Sequence, residues 1–250
     1  MSSEPHKDIH LMDRQPHAVL DYDSRVQKAK KIVALVGAER FRTARRILEI
    51  GCGSGVISSS LARLSSAEVH AIDVVDNRMT TDGYQFQLVQ GTKLPFDDDS
   101  FEIVITNHVI EHVGDEQAQL THLSEIRRVL ADSGVVYLAV PNKWRLIEPH
   151  FRLPLLSWLP QWGADLYVRL SGRGKYYDCL PLSHGQATRY FETTGFAAKD
   201  MTATALRETL SIEFSQSRVV RFVEAIVPDW AIKAAMAIMP TYIFLLRRRA

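Results

Sequence analysis

A chain of 250 residues is long enough for one large α/β domain with a sizeable core and does not require two. Hydrophobic residues make up 46% and charged residues 24%, an ordinary globular composition that argues against extended disorder. A formal net charge of +1 lacks the electrostatic footprint expected of a nucleic-acid binder.

The two cysteines, Cys52 and Cys179, form no CxxC pair, so neither a disulfide framework nor a zinc ribbon is expected and a reducing, cytoplasmic setting is the simpler reading. The opening MSSEPHKD is polar and lacks the apolar core of a signal peptide. The uncharged run Ala234 to Leu246 has 13 residues and contains Pro240, too short to span a bilayer. Peripheral membrane contact stays open.

In chain order, Val26, Ala29, Ile32, Val33 and Val36 recur at helical spacing, with Gly37 as the stop, so a helical extension is expected over 17–37. Ile47 to Ile50 reads as a short strand opening into Gly51-Cys52-Gly53-Ser54-Gly55, followed by a helix with Ile57, Leu61 and Leu64 on one face. Val69 to Asp73 reads as a second strand ending in a carboxylate, and Phe86 to Val89 as a third. The Asp73–Phe86 link is too short and polar for a full crossover helix, so only a turn or two is expected there. Phe101 to Ile105 is a fourth strand, and Val135 to Val140, set off by Gly134, a fifth. Between them Leu120, Leu123, Ile126, Val129 and Leu130 mark an amphipathic helix. Such strands, apolar without clean alternation, describe a parallel sheet covered on both faces.

From Lys143 to Leu182 four prolines and dense aromatic residues break the pattern. It resumes with Ser183 as N-cap of a helix ending at Gly195, a sixth strand from Phe196, and a last strand from Pro240 to Leu246.

A strand that delivers alternating glycines into a helix brings backbone close to a ligand. The third glycine of a dinucleotide fingerprint would fall at Val56, and no Gly-Lys-Ser/Thr follows for a P-loop, so both phosphate readings weaken. Glu49 argues the same way, because a carboxylate beside the loop disfavours a pyrophosphate and suits a cation. Asp73, at the end of the next strand, can take both hydroxyls of a ribose. The blander alternative pairs Glu49 with Arg45 or Arg46 and makes the glycines a mere tight turn.

Four segments, ILEIGCGSG (47–55), AIDVVDNRM (71–79), LPFDDDSFEIVITNHVIEHV (94–113) and EIRRVLADSGVVYLAVPN (125–142), resemble in order and spacing the motifs of the class I methyltransferases that use S-adenosylmethionine (SAM), most closely the small-molecule, methyltransferase type 11-like group. The resemblance covers residues 40 to 142 well, and the last strand resembles the family's antiparallel seventh. It implies that Glu49, Gly51, Gly53 and Gly55 line the methionine end of SAM, that Asp73 binds the ribose, and that Asn107 offers its backbone carbonyl to the ammonium. Where the family usually has Gly-Asp before Leu-Pro-Phe, this chain has Gln90-Gly91, whose amide carbonyl can still accept from adenine.

His108-Val109-Ile110-Glu111-His112 matches a zinc-peptidase HxxEH pattern, but it follows a strand end directly, and no metal is expected. His150 and His184 are candidate bases, and Tyr22 and Tyr177 candidates of equal weight; none is assigned as catalytic. Leu153 to Trp162 and Ala231 to Met239 suit either a helical cap, an apolar pocket or a lipid-facing surface.

The expected architecture is a single Rossmann-like domain over 1–250. Its doubly wound, seven-stranded, mostly parallel sheet has an antiparallel last strand, a core of 40–142 and 183–250, and an aromatic-rich cap at 143–182. The expected activity is SAM-dependent methyl transfer to a small-molecule acceptor, hydrophobic, lipid-linked or glycan-type. A non-catalytic SAM-binding scaffold and a nicotinamide-dependent oxidoreductase are the rivals.

Overall fold

The computed structural model describes residues 21–213 and 239–249. Nine strands and seven helices are described: β1 (Arg46–Ile50), β2 (Glu68–Asp73), β3 (Gln85–Leu88), β4 (Phe101–Asn107), β5 (Leu130–Pro141), β6 (Ile147–Glu148), β7 (Leu153–Pro154), β8 (Phe196–Asp200) and β9 (Thr241–Arg248), with α1 (Tyr22–Val36), α2 (Ala38–Thr43), α3 (Val56–Leu64), α4 (Glu116–Val129), α5 (Gln161–Leu170), α6 (His184–Thr193) and α7 (Thr202–Glu213). The main sheet has seven strands in the order β3-β2-β1-β4-β5-β9-β8. Pairing is parallel from β3 through β5, and β9 runs antiparallel to both of its neighbours. This is the expected Rossmann-like sheet, in which strand order reverses direction between β1 and β4.

Alternate residues of the central strands feed two separate cores. Leu48, Ile50, Val104, Val136 and Leu138 pack with Leu123 and Ile126 of α4 and Phe191 of α6. Ile47, Ile103, Ile105 and Tyr137 pack on the other face with Ala29 and Ile32 of α1, Phe41 of α2 and Leu61 of α3. Both faces are covered, which is why these strands read as near-continuous apolar runs. Each fully buried aliphatic side chain contributes about 1.5–3 kcal/mol through burial.

Local chemistry sets several boundaries. Asp115 caps α4 by accepting the Ala118 N–H at 2.9 Å. Ser183 and Gln186 form a capping box at the start of α6.

Other expectations shift. Leu130, placed on the amphipathic helix, instead opens β5, and Gly134 lies within that strand. Leu64 is half exposed at the end of α3. No helix forms between β2 and β3. That segment lies against the glycine loop instead, with Ser54 O accepting the Met79 N–H at 2.8 Å. Helices α2, α5 and α7 and the β6–β7 hairpin were not legible. Residues 17–20 of the expected N-terminal extension and 231–238 of the apolar run lie outside the described residues.

Residues 143–182 leave the sheet after β5 and return beside it: Asn142 bridges Leu182, and the Lys143 N–H reaches Leu182 O at 3.1 Å. The excursion has its own small core of Phe151, Leu153, Leu156, Ala164, Val168, Tyr177 and Cys179. It contacts the segment after β4 through the Leu180 N–H, which donates to Glu111 O at 2.8 Å.

Among the described residues no helix is long and apolar enough to cross a membrane.

Candidate functional site

Open α/β sheets bind ligands outside the carboxyl ends of the strands where strand order reverses. Here that crevice lies between β1 and β4, bordered by Gly51–Gly55 on one side and Asn107–Val109 on the other.

The glycine loop needs its glycines for conformation and for space. Gly51, Gly53 and Gly55 all take positive φ, at 73°, 51° and 73°. A Cβ on Gly51 would sit 2.4 Å from Val109 Cγ2, and one on Gly55 would sit 2.1 Å from the Tyr84 hydroxyl. Those close neighbours are parts of the chain itself. The Gly51 N–H is anchored on Ile72 O at 2.8 Å, tying the loop to β2.

Asp73 completes that tie. Its Oδ2 accepts the Gly53 N–H at 2.8 Å and its Oδ1 accepts the Val74 N–H at 2.7 Å. Oδ1 also accepts the Val75 N–H at 3.4 Å, so Oδ2 is the oxygen that retains capacity for a further donor. Val74 and Val75, just beyond, are exposed apolar residues.

Glu49 is buried at the centre of the sheet and accepts a hydrogen bond from the Ser58 hydroxyl on α3. Burial pushes its carboxyl up to about 8, although Ser58 and the charge of Arg25 work against that. The alternative pairing with Arg45 or Arg46 does not occur: Arg45 pairs with Glu102 at 3.1 Å, and Arg46 reaches Glu68 at 3.7 Å. Glu49 is therefore a buried acid short of positive charge, which fits a cationic ligand better than a phosphate.

Asn107 ends β4 beside the loop, and its buried side-chain Oδ1 has no hydrogen-bond partner among the described residues. Its neighbour His108 takes φ 60°, an uncommon conformation for a non-glycine residue. Gln90 and Gly91 are exposed just past β3, on the strand whose Leu88 pairs with Asp73. The topology thus brings Glu49, the three glycines, Asp73 and Asn107 to the carboxyl ends of the adjacent strands β1, β2 and β4, while Gln90 and Gly91 follow β3, one strand further out.

The HxxEH stretch forms a short 3-10 turn over Ile110–His112. Glu111 is buried, 3.3 Å from His108 Nδ1 and 4.0 Å from His112 Nε2. His184 is bound to Asp200 at 2.8 Å, at the β8 edge of the sheet. Tyr22 is exposed on α1 beside Arg63, and Tyr177 is buried in the 143–182 core.

Sequence reading missed Arg25, Ser58 and Tyr84. Ser58 lies nine residues after Glu49, on the first turns of α3, a spacing that points it back at the strand end. Arg25 and Tyr84 come from separate segments and carried no local signal.

A methyltransferase-domain family profile matches residues 48–138. The ubiquinone biosynthesis O-methyltransferase of Parvibaculum lavamentivorans is 30% identical over 133 residues, covering 48% of this chain and 51% of that protein. A probable S-adenosylmethionine-dependent methyltransferase of Mycobacterium tuberculosis is 31% identical over 106 residues, covering 40% and 37%. The chain thus spans about half or less of the curated relatives it matches. Among solved structures, an S-adenosylmethionine-dependent methyltransferase from Mesorhizobium loti superposes with a TM-score of 0.58 at 13% identity, covering 91% of this chain and 100% of that one. Residues 48–138, from β1 into β5, thus match a methyltransferase domain, and the sheet order is that of the Rossmann-like fold such domains share.

Proposed function

We propose that this chain transfers the methyl group of SAM to a small, hydrophobic acceptor. The observation that carries the reading is the convergence of the buried acid Glu49, the glycine loop and Asp73 at the reversal of strand order. Asp73 accepts the ribose hydroxyls. Glu49 and the Asn107 carbonyl receive the ammonium, while Gly51, Gly53 and Gly55 let backbone approach the methionine end. Gln90 and Gly91 border the adenine, with Val74 and Val75 offering apolar surface beside it.

When bound, SAM would supply a methyl carbon on a positive sulfur: the acceptor's nucleophile would bond to that carbon as the C–S electron pair returns to sulfur to leave S-adenosylhomocysteine, and the acceptor's proton would pass to solvent. The chain's task is then to hold the acceptor about 3–3.5 Å from that carbon and to exclude water. No side chain is assigned as a base.

Residues 143–182 act as the cap in this proposal. They expose Trp144, Ile147, Trp158, Trp162 and Leu170, with Trp162 at 75% and Leu170 at 78%. Exposed apolar side chains on the segment that packs against the turn after β4 favour an apolar or lipid-linked acceptor and peripheral membrane contact. The named relative that acts in ubiquinone biosynthesis points the same way.

The test is formation of S-adenosylhomocysteine from SAM with a panel of prenylated phenols, free sugars and lipid-linked glycans. Turnover with prenylated phenols or lipid-linked glycans alone supports the reading. Turnover with free sugars only, or with none of the three, counts against it.

A further inference from the structure

Three side chains from separate segments converge outside the glycine-loop crevice. His112 ends the turn after β4, His150 sits between β6 and β7, and Cys179 lies on the return from α5. One ligand atom from each lies within 4.8 Å of the others. Cys179 Sγ is 3.6 Å from His112 Nδ1 and 3.6 Å from His150 Nδ1.

Those separations have a geometric meaning. A tetrahedral zinc with Zn–S about 2.3 Å and Zn–N about 2.0–2.1 Å sets sulfur and nitrogen about 3.5 Å apart. A thiol donating to an imidazole would serve one histidine, whereas this sulfur stands equally far from two.

The surroundings match as well. Ligating histidines commonly have a carboxylate behind them. Glu111, buried and 3.3 Å from His108 Nδ1, also lies 4.0 Å from His112 Nε2, the ring nitrogen other than the one near Cys179. Glu148, also buried, lies 2.8 Å from His150 Nδ1 and holds Arg145 at 2.7 Å and the Phe151 N–H at 2.8 Å. On loading, His150 Nδ1 would exchange the Glu148 contact for the ion, and Glu148 would keep its other two partners.

We propose that His112, His150 and Cys179 form a binding site for a zinc-class divalent cation that fastens the 143–182 excursion to the segment after β4. One thiolate and two imidazoles select zinc over magnesium or calcium. The ion displaces the Cys179 thiol proton to solvent, and the fourth position falls to water or to Asp178, whose Oδ1 is 3.6 Å from the same sulfur. Two ligands belong to the excursion and one to the sheet's own connection, so the bond crosses between them. The site shares no residue with the SAM crevice and does not depend on the reading of its substrate.

The experiment loads reduced protein with zinc, dialyses it against buffer and measures metal content, then repeats the loading with cobalt(II) and records the thiolate-to-cobalt charge-transfer band. The expected result is about one metal per chain, a cobalt–thiolate band, and at least a tenfold loss of retained metal in Cys179→Ser and His150→Gln. The cobalt spectrum of the unaltered protein decides the matter even if a variant fails to fold. Substoichiometric metal without a thiolate band, or variants that retain metal as the unaltered protein does, would overturn the proposal.

Discussion

Asp73 holds the glycine loop in shape: its Oδ2 accepts the Gly53 N–H at 2.8 Å across a gap of twenty residues. The same carboxylate marks the end of β2, so one side chain both closes the loop and faces the crevice. The proposal for SAM gives it a third task, and the variants below separate shape from binding.

Gly51→Ala is predicted to be the more damaging of two alanine substitutions at positive φ. Both Gly51 and Gly91 sit in the left-handed region, at 73° and 67°, so each pays about 1–2 kcal/mol of backbone strain. Only Gly51 also drives a Cβ to within 2.4 Å of Val109, while nothing lies within 4 Å at Gly91. Thermal denaturation should show the Gly51 variant lower by about 1–3 kcal/mol beyond the Gly91 variant. Equal losses would mean that Val109 yields freely.

Glu49 is predicted to release a proton when SAM binds at pH 7. Its carboxyl is raised to about 8 by burial in the free chain, and positive charge arriving beside it favours ionisation. Titration calorimetry in buffers of different ionisation enthalpy reads the number of protons released, which should approach one and vanish in Glu49→Gln. The same shift destabilises the free chain as pH rises. A raised carboxyl contributes stability fully below about 4.5, and loses it as pH climbs through about 8. A flat stability profile over that window would contradict this role.

His122 is predicted to weaken the fold in acid. It is buried on α4, and burial lowers its imidazole to about 4 from an ordinary value near 6.5. Unfolded chains then bind the proton first, so stability present above about pH 6.5 is lost as pH falls toward 4, by on the order of 3 kcal/mol. His122→Leu should be near neutral at pH 7.5 and should flatten the acid limb in chemical denaturation. An unchanged limb would assign the acid sensitivity to other groups.

What the sequence disclosed follows from where its information is local. The runs Ile47–Ile50 and Phe101–Ile105 announced central strands because both faces are buried, and Gly51–Gly55 announced a tight approach because those positions need positive φ. Ser183 announced a helix through its cap. Leu130 misled, since a helical spacing and a strand start share an apolar residue there. The β2–β3 link gave no hint that it folds onto Ser54, because that contact is backbone to backbone. Arg25 beside Glu49, and Cys179 beside two histidines, are products of tertiary folding, with no periodicity or spacing to reveal them.

Whether SAM binds at the carboxyl ends of β1 and β4 is read by calorimetric titration of the chain and of Asp73→Asn with SAM, S-adenosylhomocysteine and NADH. Asparagine keeps one oxygen for the Gly53 N–H while removing the charge, and its amide nitrogen gives up the acceptor that the Val74 N–H uses. Each lost hydrogen bond to a charged acceptor costs about 1.5–3 kcal/mol, roughly a tenfold to hundredfold change in affinity. Micromolar binding of the first two ligands, no binding of NADH, and a loss of that size in the variant are expected. Absence of SAM binding by the unaltered chain, or affinity unchanged by the substitution, would contradict binding there.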